Sequence, residues 1–168
     1  QDQFPHADAY AAVLAQRAQT IASHLQGCTV IALQETGTPE DAAALAAELA
    51  AVHGLAYTAT AFPGPASADG EFPLTNSFLV RVVEAFVSRG CSPIDYGVDD
   101  PGACAAGQFP LFDRPPLLAH LEIQGVWPGD VTSLWVVNNH WKSKAGDESV
   151  NAVRRMAQAR HVAAQVQA

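Results

Sequence analysis

A short apolar run at residues 29–33 constrains the fold of this chain more than any other feature. It reads Thr29-Val30-Ile31-Ala32-Leu33 and stops abruptly at Gln34-Glu35-Thr36. An apolar run without alternation is typical of a strand that is covered on both faces. Such a strand needs other elements packed on each side of it, which predicts a layered α/β domain.

Helical patterns flank this strand on both sides. Apolar residues recur at helical spacing over residues 10–25, and Gly27 ends that segment. Thr38 is a good N-cap, since Pro39 and two acidic residues follow it. A second helix is therefore predicted from Thr38 to about residue 53, ending at Gly54.

The remaining apolar segments predict three more strands, at residues 77–83, 117–123 and 132–138. The last two are separated by a turn at residues 127–130, so we expect them to pair as antiparallel neighbours. Residues 88–110 contain many turn formers and are predicted to form a long surface loop. A final helix over residues 151–167 is predicted to carry Val153, Met156 and Val162 on one side.

Size and charge limit the classes of function. The 168 residues carry a formal net charge of −8, and 49% of them are hydrophobic, which indicates one folded domain. No apolar run approaches the roughly 20 residues of a membrane span. The acidic balance excludes a protein that coats nucleic acid through a basic surface. It does not exclude a nuclease, because a bound divalent cation supplies local positive charge.

Glu35 is the first candidate site residue. It follows the buried strand directly, at the end where α/β sheets place ligand sites, and its carboxylate is a suitable ligand for Mg²⁺ or Ca²⁺. The structural alternative is a side chain that caps the next turn or is solvated.

A polar cluster around His140 is the second candidate. An apolar strand delivers His140 together with two asparagines and the only two lysines of the chain. Amide and ammonium donors beside a histidine suit a phosphoryl group, so Asn139 and Lys142 are predicted substrate contacts. A hydrogen-bonded edge histidine with a solvated lysine pair is the alternative.

Two weaker signals lie in the middle of the chain. Arg114 precedes a strand in a proline-rich turn, and its guanidinium suits a phosphate, although an arginine in such a turn is more often the partner in a surface ion pair. Cys91 and Cys104 lie in the predicted loop, where a disulfide between them would close a short segment. Two free thiols are the alternative, and Cys28 is interpreted as a small buried apolar residue.

Five segments in order resemble motifs of the endonuclease/exonuclease/phosphatase superfamily. Residues 30–35, VIALQE, resemble its "DIIgLQE" strand end, and residues 76–81, NSFLVR, resemble its "NaiLsR" strand. Residues 112–117, FDRPPL, are similar to the "FdRpPl" segment of its secreted bacterial nucleases. Residues 136–144, VVNNHWKSK, are similar to their "vvvNHfKSKg", and residues 155–159 to the "RxxQA" helix that follows.

The resemblance implies a role for each matching residue. Glu35 would be the metal-binding and catalytic glutamate, His140 the catalytic or phosphate-binding histidine, and Arg114 a contact to the substrate backbone. Asn76 and Lys142 would line the cleft. The implied cofactor is Mg²⁺, with Ca²⁺ or Mn²⁺ as alternatives, and the implied location is extracellular.

The resemblance also implies a fold, and the chain departs from it. Members form a four-layer α/β/β/α sandwich of the deoxyribonuclease I type, with mostly antiparallel sheets and outer helices. Their first strand and their later "GDFN" and "SDH" segments have no counterpart in residues 1–168. We therefore expect an incomplete domain, whose open sheet is covered by the rest of the domain or by a partner chain.

Three functions follow as hypotheses. The leading one is metal-dependent hydrolysis of a phosphodiester in DNA or RNA. The second keeps the site but changes the substrate to a phospholipid or sugar phosphate, because one fold hosts many substrates. The third is a non-catalytic structural or assembly module that retains the half-domain.

Overall fold

A computed structural model of the chain describes residues 7–61, 75–81, 86–93, 112, 116–124, 127–141 and 144–167. Within these residues the chain is a mixed α/β protein with three helices and antiparallel sheets. The elements are α1 (Ala7–His24), β1 (Val30–Leu33), α2 (Pro39–His53), β2 (Tyr57–Ala61), β3 (Ser77–Arg81), β4 (Phe86–Pro93), β5 (Leu117–Gln124), β6 (Val131–Asn138) and α3 (Glu148–Gln167).

The predicted ends of α2 are confirmed by its capping hydrogen bonds. The Thr38 hydroxyl accepts from the Asp41 backbone N–H, and the Asp41 carboxylate accepts from the Thr38 N–H at 2.8 Å, which completes a capping box. Pro39 occupies the first turn, where no backbone donor is lost. Gly54 ends the helix in a left-handed conformation with φ of 66°.

A partly buried hydrogen bond joins α1 to the start of α2. The Tyr10 hydroxyl donates to Asp41 Oδ1 at 2.6 Å. Burial, followed by this hydrogen bond, raises the pKa of Tyr10 to about 12. Burial opposes ionisation of Asp41, but the hydrogen bonds from Tyr10 and Thr38 outweigh it and lower the pKa of that carboxyl. Both shifts favour the state in which the Tyr10 phenol is neutral and the Asp41 carboxylate is charged.

The strands form two antiparallel sheets. One has the order β1-β3-β2 and the other the order β4-β5-β6. Leu33 pairs with Ser77 in the first sheet. Ala119 pairs with Val136 in the second, so the predicted antiparallel pairing of β5 with β6 is confirmed.

Two parts of the strand prediction were wrong. Residues 88–93 belong to β4 rather than to a surface loop, because pairing with β5 outweighs their local turn propensity. Gly90 and Pro93 are tolerated there since β4 pairs on one side only among the described residues, and its register shifts between Ser88 and Cys91. Strand β2 was not predicted, because its sequence YTATA is too weakly apolar to stand out.

The core lies on both faces of the first sheet. On one face, Ile31 of β1 and Leu79 of β3 pack with Leu45 and Leu49 of α2 and with Ile21 of α1. Each large apolar side chain buried in this way contributes roughly 1.5–3 kcal/mol.

The opposite face of β3 packs against the second sheet. Phe78 and Val80 form a cluster with Leu117, Ala119 and Leu121 of β5. Coverage of β1 is less complete than its apolar sequence predicted, since Ala32 is exposed. Nothing in the described residues covers that small side chain.

The orientation of α3 differs from the prediction. Val162 is buried, but Val153 and Met156 are exposed. Nine residues separate Val153 from Val162, which places them on opposite faces of a helix with 3.6 residues per turn. The buried face is instead largely polar and includes Arg154 and Gln158. None of the described helices is both long enough and apolar enough to cross a membrane.

Candidate functional site

Glu35 and His140 lie side by side at the ends of two strands from different sheets. Glu35 Oε1 is 3.8 Å from His140 Nε2. The Glu35 side chain is about half exposed, at 52%, and the His140 side chain is 21% exposed. The pair therefore presents a carboxylate and an imidazole to solvent at one shared rim.

The backbone of Glu35 is in a strained conformation. It is the only non-glycine residue with positive φ among the described residues, at 55°. The left-handed region costs a residue with a Cβ roughly 1–2 kcal/mol. Such strain persists only where the surrounding structure over-determines the backbone, and it is concentrated at functional sites.

The two neighbours of Glu35 are both held by hydrogen bonds. The Gln34 side-chain amide donates to the Asn139 carbonyl, and the Thr36 backbone N–H donates to the Thr75 carbonyl at 3.1 Å. The chain is therefore fixed on both sides of Glu35, which explains how its unfavourable φ is maintained.

A buried polar layer supports the rim from below. The Thr36 and Ser77 hydroxyl oxygens are 2.7 Å apart, and the Thr36 hydroxyl also donates to the Thr75 carbonyl at 3.3 Å. Asn76 lies within this layer and has no exposed surface. Its role in lining the cleft remains a prediction.

Asn138 links the two sheets directly beneath the Glu35–His140 pair. Its side-chain nitrogen donates to the Leu33 carbonyl at 2.8 Å and to the Ser77 carbonyl at 2.9 Å. The residue is 3% exposed. Sequence reasoning noted Asn138 only as one of two amides near His140. The signal that could have singled it out is an amide at the end of an otherwise apolar strand.

Asn139, directly before His140, carries a buried side-chain oxygen. Its side-chain Oδ1 is buried and has no hydrogen-bond partner among the described residues. A buried acceptor without a partner costs about 1–3 kcal/mol, which a water molecule or a cation would offset. That Asn139 contacts a ligand remains a prediction. Its buried oxygen without a partner is a structural reason for it.

An aromatic cluster fixes the segment that follows His140. Phe112 is fully buried, and its ring centroid is 6.5 Å from that of Trp141 and 5.8 Å from that of His161 on α3. Phe112 begins the FDRPPL segment, so this segment starts beside the one that carries His140.

Several predicted site residues cannot be placed. Arg114, Lys142 and Cys104 lie outside the described residues, and only the backbone of Cys91 is described. The phosphate contacts of Arg114 and Lys142 and the disulfide between Cys91 and Cys104 therefore remain predictions. Cys28 is a free thiol that is partly buried against the core, as its neighbours indicated.

The described residues contain no group of three or more histidine, cysteine, aspartate or glutamate side chains that could bind a metal ion. The segments that end at the Glu35–His140 pair carry the Glu35 carboxylate and the Asn139 amide oxygen. Mg²⁺ is commonly held by one or two carboxylates together with water and substrate phosphate. This donor set is compatible with such a site.

No family model, no curated protein and no solved structure matches this chain.

Proposed function

We propose that this chain is part of a divalent-metal-dependent phosphodiesterase of the endonuclease/exonuclease/phosphatase superfamily, acting as an extracellular nuclease on DNA or RNA. The observation that carries this proposal is the 3.8 Å separation of Glu35 Oε1 and His140 Nε2. These residues belong to two of the five segments that resemble the superfamily, and they are far apart in sequence. Their juxtaposition supports one shared site.

The packing supports the corresponding fold. We propose a four-layer α/β/β/α arrangement in which α1 and α2 cover the first sheet and α3 covers the second. Phe78 of β3 packs with Leu117 of β5 between the sheets. Val162 of α3 packs with Phe112 and with Val137 of β6. These contacts are the ones that such a layer order requires.

Glu35 would hold the cation through its carboxylate, and Asn139 would contribute its buried amide oxygen. When bound, a divalent cation polarises the phosphoryl group and stabilises charge on the leaving oxygen. The half-exposed position of Glu35 leaves room for water and substrate at the rim.

His140 would bind and orient the phosphoryl group. Its Nε2 faces the rim beside Glu35, where it can donate a hydrogen bond to a phosphoryl oxygen. Arg114 and Lys142 would add positive charge along the substrate backbone, which this acidic protein otherwise lacks. The residues that orient the attacking water would belong to the "GDFN" and "SDH" segments of a complete domain.

Exposed apolar residues support the expectation that more protein covers β6. Leu134 and Trp135 are 41% and 55% exposed, and Val131 at the start of the strand is 51% exposed. Val131 and Trp135 lie on one face of β6 and Leu134 on the other, and exposed apolar side chains of this kind are unfavourable in water. We propose that the remainder of the domain or a partner chain packs there.

Plasmid nicking tests the function. The full-length protein is incubated with supercoiled plasmid and Mg²⁺, Ca²⁺ or EDTA, and the Glu35→Ala and His140→Ala variants are compared with it. We expect EDTA to abolish nicking. Each variant should nick plasmid at a rate at least about 100-fold lower than the wild type, which is the usual effect of removing one stabilising group.

Matched controls are Glu40→Ala and His24→Ala, which remove exposed side chains of the same types away from the rim. They should retain wild-type nicking. Unchanged nicking by both rim variants would reject the site. Turnover of sphingomyelin in preference to plasmid would instead favour the phospholipid branch.

A further inference from the structure

The inter-sheet contact of Asn138 is unusual for its position. Asn138 ends β6, on the face where Val136 packs into the apolar cluster between the sheets. An apolar side chain at this position would continue that cluster without burying a polar group. The amide is instead buried at 3% exposure, and its nitrogen donates to two backbone carbonyls of the opposite sheet.

The two acceptors lie on two neighbouring strands of the first sheet, β1 and β3. Leu33, one acceptor, is two residues before Glu35, and Asn138 is itself two residues before His140. The other acceptor, Ser77, belongs to β3, which pairs with β1. The amide therefore fixes the start of the Glu35 turn relative to the start of the His140 segment.

Asparagine is the side chain that this geometry requires. A single short, uncharged group must donate two hydrogen bonds from one atom, and only an –NH₂ group on a one-carbon stem does so. An aspartate accepts only, a serine donates once, and a leucine donates nothing. The residue type is thus matched to two carbonyls rather than to an apolar interface.

A second hydrogen bond runs in the opposite direction. The Gln34 amide on the β1 side donates to the Asn139 carbonyl on the β6 side. The residue directly before Glu35 is therefore bonded to the residue directly before His140. Together with the contacts of Asn138, this hydrogen bond connects the segment that leads to Glu35 with the segment that leads to His140 at two successive positions of each.

We propose that Asn138 is a positioning residue that holds Glu35 and His140 in register across the two sheets, with Gln34 as a weaker second link. The proposal rests on the proposed function for its catalytic consequence. A misplacement of about 1 Å in a catalytic group can cost 100-fold in rate, so the constraint is large enough to matter.

The first test uses NMR to detect whether Glu35 and His140 are close to each other, and it does not require enzymatic activity. The ¹H–¹³C ring signals of His140 are identified, among the six histidines, by their loss in His140→Ala. Glu35→Gln should shift these signals in the wild-type background, because it changes the group 3.8 Å away. In an Asn138→Ala background, the same substitution should shift them by less than half as much.

Asn151→Ala is the matched control. Asn151 is likewise a buried asparagine, 7% exposed, and its side chain donates to the Ala145 carbonyl at 2.7 Å without joining β1 to β6. It should lower the melting temperature as Asn138→Ala does but leave the His140 response to Glu35→Gln intact. If Asn138→Ala does not fold, Gln34→Ala tests the exposed second link and should weaken the response partially.

The second test is kinetic. If the positioning role is correct, Asn138→Ala lowers kcat for plasmid nicking by 10- to 100-fold, with KM changed by less than about 3-fold. Asn151→Ala leaves both unchanged. A full His140 response in the Asn138→Ala and Gln34→Ala backgrounds overturns the inference. Absence of nicking in the wild type overturns the proposed function alone, since the spectroscopic result still decides the role of Asn138.

Discussion

Replacing Glu35 by glycine and by alanine separates the role proposed for its carboxylate from the strain of its backbone. Both substitutions remove the carboxylate and its contacts. They differ in the Cβ, which only alanine retains at a φ of 55°. A comparison of the two variants therefore measures the conformational cost at this position, independently of whatever the carboxylate binds.

The expected difference can be calculated from known costs. A residue with a Cβ loses roughly 1–2 kcal/mol in the left-handed region. Glycine avoids this cost but gains freedom in the unfolded chain, which disfavours folding by about 0.4–1 kcal/mol. Glu35→Gly should therefore have a free energy of unfolding that is about 0–1.6 kcal/mol higher than that of Glu35→Ala, and about 0.8 kcal/mol higher at the midpoints of the two costs.

Urea unfolding followed by circular dichroism measures the difference. In a domain of this size, 1 kcal/mol corresponds to about 2–4 °C in melting temperature, so thermal unfolding provides a second reading. Gly54→Ala is the matched control for left-handed backbone, because Gly54 has φ of 66° and a Cβ there would meet nothing within 4 Å. Ala47→Gly, on the exposed face of α2, is the control for an ordinary helical backbone. Its free energy of unfolding should fall by about 1 kcal/mol.

The sign of the result decides the argument. At an ordinary position glycine is less stable than alanine by about 0.5–1 kcal/mol. If Glu35→Ala is more stable than Glu35→Gly by this ordinary difference of about 0.5–1 kcal/mol, residue 35 is not held in the left-handed conformation. Both variants should lose metal-dependent nicking equally, because neither carries a carboxylate.

Two further predictions concern stability away from the rim. Tyr10→Phe should lower the free energy of unfolding by about 1 kcal/mol near neutral pH, because it removes the hydrogen bond to Asp41. The raised pKa of Tyr10, about 12, means that its contribution is present below pH 10 and is lost as pH rises toward 12. Urea unfolding between pH 7 and 12 should show a larger loss in the wild type than in Tyr10→Phe, which retains Tyr57, whose pKa burial also raises. Phe112→Ala should cost about 3–5 kcal/mol, because it empties a fully buried site between Trp141 and His161. A loss below 1 kcal/mol in chemical denaturation would show that this ring does not anchor its segment.

Local hydrogen-bond chemistry explains why some elements could be predicted closely. The start of α2 depends on Thr38 and Asp41, which are three residues apart, and its end depends on the backbone freedom of Gly54. The turn between β5 and β6 is equally local, so their antiparallel pairing follows from the sequence between them. In these cases every interacting group is close in the chain.

Elements that depend on distant partners were predicted poorly. Strand β4 contains turn formers and becomes a strand only because β5 supplies its hydrogen bonds. In α3, the apolar residues Val153 and Met156 are exposed, whereas Arg154 and Gln158 are buried. A helical pattern predicts that a helix forms, but what packs against each face is set by other parts of the chain.

By itself, the sequence determined the α/β class of the fold and which polar side chains stand at the ends of β1 and β6, because residue type and hydrophobic pattern are properties of short segments. Only the tertiary structure brought Glu35 to His140 and revealed the Asn138 amide between the sheets. The contacts from Asn138 to Leu33 and from Gln34 to Asn139 each span 105 residues of chain. Their formation depends on how two sheets pack face to face, and that packing is a balance of contacts made throughout the domain rather than by any one segment.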